Sequence, residues 1–213
     1  MIKIYIADDH AMLRAGLKAV ILDVDDIEVV GETDDAKYIF NDIRRLEIDV
    51  LLLDISMPGP GFLDILSRIS NGYDDIKKIK ILVLSMHPEE QYAIRAIKAG
   101  ANGYLTKEHS PAELINAIRM IHNGKRYISQ SLAEILANDI ISGNSIIAPH
   151  DTLSSREYQI LCMLGKGSSV TEISRSLSLS PKTISTYRNR LCKKLNLKNN
   201  AELIHYVIDY KLL

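Results

Sequence analysis

Val50-Leu51-Leu52-Leu53-Asp54, followed at once by Ile55-Ser56-Met57-Pro58-Gly59, is the stretch from which the fold can be read. A run of aliphatic residues this short describes a strand buried on both faces, as in a parallel sheet covered by helices on either side. A carboxylate then stands at the strand's C-terminal end. In open α/β sheets that edge is where ligands bind. Asp54 is therefore the candidate reactive group.

Working outward, the same unit recurs. Ile2 to Ala7 is β-rich and runs into Asp8-Asp9-His10, after which Met12, Leu13, Leu17, Val20 and Ile21 recur at helical spacing. Ile27-Glu28-Val29-Val30 is a second strand, and Ala36, Ile39, Phe40, Ile43 and Leu46 mark a helix. Beyond Asp54, Phe62, Leu63, Ile65, Leu66 and Ile69 form a helical stripe, then Ile79 to Leu84 a fourth strand. Tyr92, Ile94, Ala96 and Ile97 give a helix, and Gly103-Tyr104-Leu105 a short fifth strand. Pro111, suited to a first helical turn, opens a helix through Leu114, Ala117, Ile118 and Ile121. Alternation of this kind over residues 1–124 specifies an α/β domain with a doubly wound, flavodoxin-like parallel sheet, for which the strand order 2-1-3-4-5 is expected.

After Gly124 the β signal ends. Ser131 is expected to cap a helix at about 131–141, and Ser142-Gly143-Asn144-Ser145 with Pro149 reads as a linker, so 125–150 joins two domains. Residues 151–213 are patterned as an all-α domain. Ser154 with Glu157 forms a capping box, Gly165 and Gly167 end that helix, and a short helix spans about Val170 to Leu177. Ser180-Pro181 opens a long helix to Leu195, and Asn199 caps the last one, to about Tyr210.

Composition narrows the function classes. No apolar run approaches the roughly 20 residues of a membrane span, and Met1-Ile2-Lys3-Ile4-Tyr5 lacks a signal-peptide layout, so a cytoplasmic protein without a membrane partner is expected. Cys162 and Cys192 have no zinc-site spacing and read as reduced core thiols. A net charge of −1 conceals an asymmetry: from Asp151 onward ten Lys or Arg stand against five Asp or Glu, while the rest carries 16 against 22. Only the C-terminal third is suited to meet a polyanion.

Polar residues overlaid on the strand ends point to chemistry. Asp8 and Asp9 follow the first strand, Asp54 ends the third, Ser85 follows the fourth and Lys107 the fifth. With the expected order these ends converge on one edge. Crowded carboxylates repel, and a hard divalent cation such as Mg²⁺, which takes oxygen ligands, resolves the conflict. Asp54 would attack a phosphoryl group in line, with Mg²⁺ and Lys107 holding its oxygens and Ser85 donating to one of them. Taken singly, Asp8 and Asp9 would be helix-capping residues, His10 a helix-start residue and Lys107 a solvated lysine.

The chain resembles the two-component response regulators of the NarL/FixJ type along nearly its whole length. Ala7-Asp8-Asp9-His10 and Lys98-Ala99-Gly100-Ala101-Asn102-Gly103-Tyr104-Leu105-Thr106-Lys107 carry the likeness. The resemblance implies that Asp54 is the phospho-acceptor, Asp9 a direct metal ligand, Asp8 its water-mediated companion and Ile55 a backbone-carbonyl ligand. It makes Ser85 the switch hydroxyl, Tyr104 the aromatic that turns inward on activation, and Lys107 the family's lysine. His87, two past Ser85, stands where a side chain can affect access of hydrolytic water. The family loop after Met57-Pro58 is one residue shorter here, and Tyr73 to Lys80 is lengthened.

In the C-terminal domain the short helix, the Leu177-Ser178-Leu179-Ser180 turn and the long helix form a helix-turn-helix. Ile184, Tyr187, Leu191 and Leu195 make its buried stripe, which turns Ser185, Thr186 and Asn189 outward toward base edges. Lys182, Arg188, Arg190, Lys193 and Lys194 flank them with charge for phosphates, and Thr183 assists at the helix N-terminus. Leu153 to Leu195 resembles the LuxR-type DNA-binding domain. That resemblance implies a phosphorylation-activated transcriptional regulator, with a sensor histidine kinase and double-stranded promoter DNA as partners. It also implies a homodimer, formed by receiver pairing on phosphorylation or through the last helix, Asn199 to Tyr210, on DNA. Such a protein is no turnover enzyme, catalysing only its own phosphoryl transfer and slow autodephosphorylation. Two alternatives are a phosphate-independent DNA binder with a vestigial receiver, and a haloacid-dehalogenase-type enzyme. The latter would call for a second Asp two residues after the first, where Ser56 stands.

Overall fold

The computed structural model describes residues 1–58, 60–72, 79–86, 89–130, 132–134, 137, 148–210 and 212. The chain divides into two compact units, Met1–Ser142 and Gly143–Leu213. Among the described residues no helix is long and apolar enough to cross a membrane.

The first unit is a parallel sheet of strands β1 (Ile2–Ala7), β2 (Ile27–Thr33), β3 (Val50–Asp54), β4 (Lys80–Ser85) and β5 (Gly103–Thr106), in the order β2-β1-β3-β4-β5. Helices α1 (Ala11–Leu22), α2 (Ile39–Arg45), α3 (Phe62–Ser70), α4 (Glu89–Lys98) and α5 (Pro111–His122) alternate with them. Every residue of β3 is buried, as its unbroken aliphatic run requires. Alternating side chains divide the core between two faces. Ile4, Ile6, Val50, Leu52, Leu82 and Leu84 pack with Leu17 and Ile21 of α1 and with Leu114, Ile118 and Ile121 of α5. On the other side Leu51, Leu53, Ile81 and Val83 are equally buried, and Phe62 of α3 meets Tyr92 of α4 with ring centroids 6.3 Å apart.

Several local boundaries differ from the sequence reading. β2 continues past Val30 to Thr33, because a register shift between Ile4 and Tyr5 keeps it paired with β1 through Gly31, Glu32 and Thr33. A 3-10 turn, Ala36–Tyr38, capped by Asp35, precedes α2. Ser85 is the last residue of β4 rather than the first after it. Past α5, Tyr127 bridges to Gly103 of β5, and the Oγ of Ser129 accepts from Leu132 N–H at 3.1 Å. Gly59, Tyr73 to Lys78, His87, Ser131 and the expected linker core from 142 to 145 lie outside the described residues.

The second unit is helical: α6 (Ser155–Gly165), α7 (Val170–Ser176), α8 (Pro181–Lys194) and α9 (Asn200–Asp209). α6 packs against α8 and α9, and α7 against α8. Ser154 and Glu157 form the expected capping box on α6, and Ser169 with Glu172 forms a second one on α7 that the sequence reading passed over. Ser180 and Asn199 cap α8 and α9. The turn between α7 and α8 is closed by Ser178 at φ 52°, where Leu179 N–H reaches back to Ser174 O at 2.9 Å. Ile184, Leu191 and Leu195 are buried as the stripe requires, while Tyr187 is half-buried. Cys162 is buried and Cys192 half-buried.

Two contacts hold this small unit tightly enough to test. A Cβ at Gly165 would lie 2.6 Å from Val207 Cγ1, so α6 and α9 approach where only glycine fits. Gly165→Ala is expected to cost about 1–3 kcal/mol, measured as a lowered midpoint for this unit in urea unfolding of the full chain. Glu157, buried at the start of α6, receives the Lys194 ammonium at 2.6 Å. Burial pushes its carboxyl up, but Lys194 and Ser154 together outweigh that and hold it below its ordinary 4.5. The folded value lies below the unfolded one, so the stabilisation is present above about pH 4.5 and is lost as pH falls through the folded value. Lys194→Met is expected to cost about 1–2 kcal/mol at neutral pH, discounting for the exposed ammonium, and to flatten the acid limb of a stability profile between about pH 5 and 3.

Candidate phosphoryl-transfer site and nucleic-acid helix

The sheet brings the strand-end residues together through its register. Ala7 lies beside Leu53, Asp54 beside Leu84, and Ser85 beside Thr106. Asp8, one residue past β1, is thus carried next to Asp54, and Lys107, one past β5, hydrogen-bonds through its backbone N–H to Ser85 O at 2.7 Å. The Lys107 ammonium then crosses the edge. It lies 2.7 Å from Asp8 Oδ2 and 3.1 Å from Asp54 Oδ2, with its side chain 5% exposed.

Asp8 and Asp54 are almost wholly buried, at 1% and 2% exposure, whereas Asp9 is half-exposed at the rim with its side chain at 35%. Burial pushes the Asp54 carboxyl above the usual carboxylate range; the Lys107 ammonium opposes that shift and the Asp8 charge adds to it. Apart from the ion pairs with Lys107, Oδ2 of Asp8 and of Asp54 are buried with no hydrogen-bond partner among the described residues. Ligand atoms of Asp8, Asp9, His10 and Asp54 all lie within 4.8 Å of one another. Unsatisfied buried oxygens in an oxygen-rich cluster fit a hard divalent cation, which supplies positive charge without requiring ideal hydrogen-bond angles. Ile55 directly follows Asp54 and is buried. Ser85 and Tyr104 are fully buried at 0% exposure. The Tyr104 ring therefore already lies inside the unit.

Two residues of this edge take parts the sequence reading did not assign. His10 begins α1 as expected, but its side chain makes no cap; Nδ1 lies 2.8 Å from Asp9 Oδ1 and 3.2 Å from Asp8 Oδ1, while its N–H donates to Asp8 Oδ1 at 2.8 Å. Neither aspartate caps the helix. Arg14 donates from Nη1 to the backbone carbonyl of Asp8 at 2.6 Å. The sequence signal for it is weak, because an Arg four past His10 looks like any exposed helical cation.

On α8, Lys182, Ser185, Thr186, Asn189, Arg190 and Lys193 are exposed along one helix, and Thr183 and Arg188 are half-buried. Some groups are committed internally. Ser185 Oγ donates to Pro181 O at 2.9 Å and Thr186 Oγ1 to Lys182 O at 3.0 Å, so both hydroxyls keep acceptor lone pairs outward. Thr183 N–H and hydroxyl both meet Ser180 Oγ, at 3.1 and 2.8 Å. Arg188 Nε is buried, and Lys194 is drawn to Glu157.

Comparison with known proteins accounts for both units. Residues 4–119 match the family described as response regulator receiver domain, and residues 151–207 the family described as bacterial regulatory proteins, luxR family. Response regulator UvrY of Escherichia coli strain K12 is 39% identical over 212 residues, covering 100% of this chain and 96% of that protein. Response regulator GacA of Pseudomonas aeruginosa is 37% identical over 203 residues, covering 95% and 94%. Among solved structures, the RcsB response regulator of Salmonella typhimurium superposes with a TM-score of 0.61 at 26% identity, covering 97% of this chain and 99% of that one. A receiver edge and a helix-turn-helix thus stand where the two family matches fall, and the chain belongs to the response regulators of the NarL/FixJ type, two-component proteins that carry a LuxR-type DNA-binding domain.

Proposed function

We propose that this chain is a phosphorylation-activated transcriptional regulator with a phospho-receiver over residues 1–124, a linker over 125–150 and a DNA-binding domain over 151–213. The observation that carries the reading is the Lys107 ammonium held between the buried carboxylates of Asp8 and Asp54. Asp54 accepts the phosphoryl group of a sensor histidine kinase. A carboxylate oxygen of Asp54 bonds to phosphorus as the P–N bond breaks, and the imidazole leaves with the electron pair and takes up a proton. Asp8, Asp9, Asp54 and the Ile55 carbonyl would hold Mg²⁺, which would supply charge neutralisation for the phosphoryl oxygens. Lys107 releases Asp54 and transfers its ammonium to a phosphoryl oxygen, and Ser85 donates its hydroxyl to another.

The consequence is a shift between two receiver states in which Ser85 and Tyr104 hold the phosphorylated surface. A factor of about 100 in activity needs roughly 2.7 kcal/mol of difference, which one or two charge-assisted hydrogen bonds supply. The shifted receiver pairs with a second copy, and the second unit is freed to bind promoter DNA through α8. Solved structures of RcsB bound to promoter DNA in the presence of a phosphomimetic, and of RcsB dimers on DNA, support DNA binding by such a dimer. Ser185, Thr186 and Asn189 read base edges, while Lys182, Thr183, Arg188, Arg190 and Lys193 meet phosphates. Lys194 joins them in the proposed set, its ammonium shared with Glu157.

Two measurements test this. Asp54→Asn is expected to abolish the acetyl-phosphate adduct seen by intact-mass spectrometry in the presence of Mg²⁺, with thermal unfolding still cooperative; an adduct persisting at full occupancy places the acceptor elsewhere. On α8, Asn189→Ala is expected to change the preferred sequence, losing about 1–3 kcal/mol at the contacted base pair. Lys182→Ala should instead weaken all sequences and reduce the salt slope by about one unit. Titrations on matched and scrambled sites at several salt concentrations separate the two, and an unchanged slope means that Lys182 touches no phosphate.

A further inference from the structure

Asp8 and Asp9 are consecutive, yet one is buried and the other lies at the rim. A cation can use both only if the peptide joining them is held in one orientation. Asp8 is held from several sides. Its N–H donates to Thr33 O at 3.1 Å, its Oδ1 accepts from His10 N–H at 2.8 Å and its Oδ2 faces Lys107 at 2.7 Å. The remaining atom is its carbonyl oxygen, and that accepts from Arg14 Nη1 at 2.6 Å. Because the peptide unit is planar, holding this carbonyl sets the plane from which the Asp9 side chain departs.

Arg14 is itself held. It stands one turn into α1 with its side chain 14% exposed, and its Nε lies 3.8 Å from Glu32 Oε2 on β2, a charge contact only, since Nε is buried with no hydrogen-bond partner among the described residues. Glu32 in turn pairs with Lys18 at 2.9 Å. The fork of a guanidinium suits this double duty, one edge on a carbonyl and another toward a carboxylate, which a single ammonium cannot reproduce. His10, the N-cap residue, contributes no side-chain cap, so no cap side chain orders the start of α1 from within.

We propose that Arg14 is a positioning residue for the acidic edge, holding the Asp8–Asp9 peptide so that both carboxylates face one divalent cation. This rests on reading Asp8, Asp9 and Asp54 as a cation site. Groups that orient metal ligands typically contribute about 10- to 100-fold to affinity. The effect belongs to cation binding rather than to the transfer step, since among the described residues Arg14 makes no hydrogen bond or ion pair with Asp54 or Lys107.

The test uses the full chain and Mn²⁺ as the probe, with free Mn²⁺ followed by electron paramagnetic resonance and no phosphodonor present. Arg14→Met is expected to weaken Mn²⁺ binding about 10-fold, and Arg14→Lys by less, because one donor can still reach the carbonyl. In acetyl-phosphate labelling the half-saturating Mg²⁺ concentration should rise by the same factors while the plateau rate at high Mg²⁺ is preserved. A merely structural role would lower the plateau or the unfolding temperature without this split. If Arg14→Met does not fold, Arg14→Lys decides alone. Wild-type protein that binds Mn²⁺ no more tightly than either variant overturns the role of Arg14 and leaves the cation site standing. Wild-type protein that binds no Mn²⁺ overturns the cation-site reading and this inference with it.

Discussion

The ammonium of Lys107, buried between Asp8 and Asp54, is the interaction on which the rest of the first unit depends. Like charges about 4 Å apart repel by roughly 4 kcal/mol at an effective dielectric of 20, and burial adds a desolvation cost for each. One lysine offsets only part of that, which is why the Asp54 carboxyl stays above its usual range. A sheet edge loaded in this way is poised to take up positive charge or an electrophile. The parallel sheet absorbs the cost, because β3 and β4 bury every residue near the edge.

The edge is also tied outward. Asp8 is reached from β2 through Thr33 and from α1 through His10 and Arg14, while Lys107 is reached from β4 through Ser85 O. Asp54 thus stands beside β4 and, through Lys107, is linked to β5, the strands carrying Ser85 and Tyr104. These strands lead to the segment after α5, where Tyr127 pairs with Gly103 and Ser129 bonds to Glu89 of α4.

The second unit separates two tasks on one helix. α8 spends Ile184, Leu191 and Leu195 on packing and donates the Ser185 and Thr186 hydroxyls to its own backbone. Lys182, Asn189, Arg190 and Lys193 stay exposed, consistent with a surplus of positive charge confined to this third of the chain. Glu157 is the counterweight, a buried carboxylate that caps α6 and draws Lys194 toward the core.

The sequence by itself determined the architecture and named the strand-end residues of the candidate site. An aliphatic run ending in Asp54, repeated βα periodicity and caps such as Ser154 and Asn199 are local signals, each legible within a few residues. The βα periodicity left few doubly wound arrangements, among which 2-1-3-4-5 was the order expected and is the order observed. Tertiary structure alone decided which of these groups touch. The pairing of Lys107 with Asp8 joins residues far apart in the chain, and Arg14 on the Asp8 carbonyl is a side-chain-to-backbone contact that leaves no periodicity in sequence. Ser129 accepts from Leu132, and Lys194 faces Glu157 as well as solvent, for the same reason. Patterning reports which face a residue occupies, whereas the partner it finds there depends on register and packing across the whole unit.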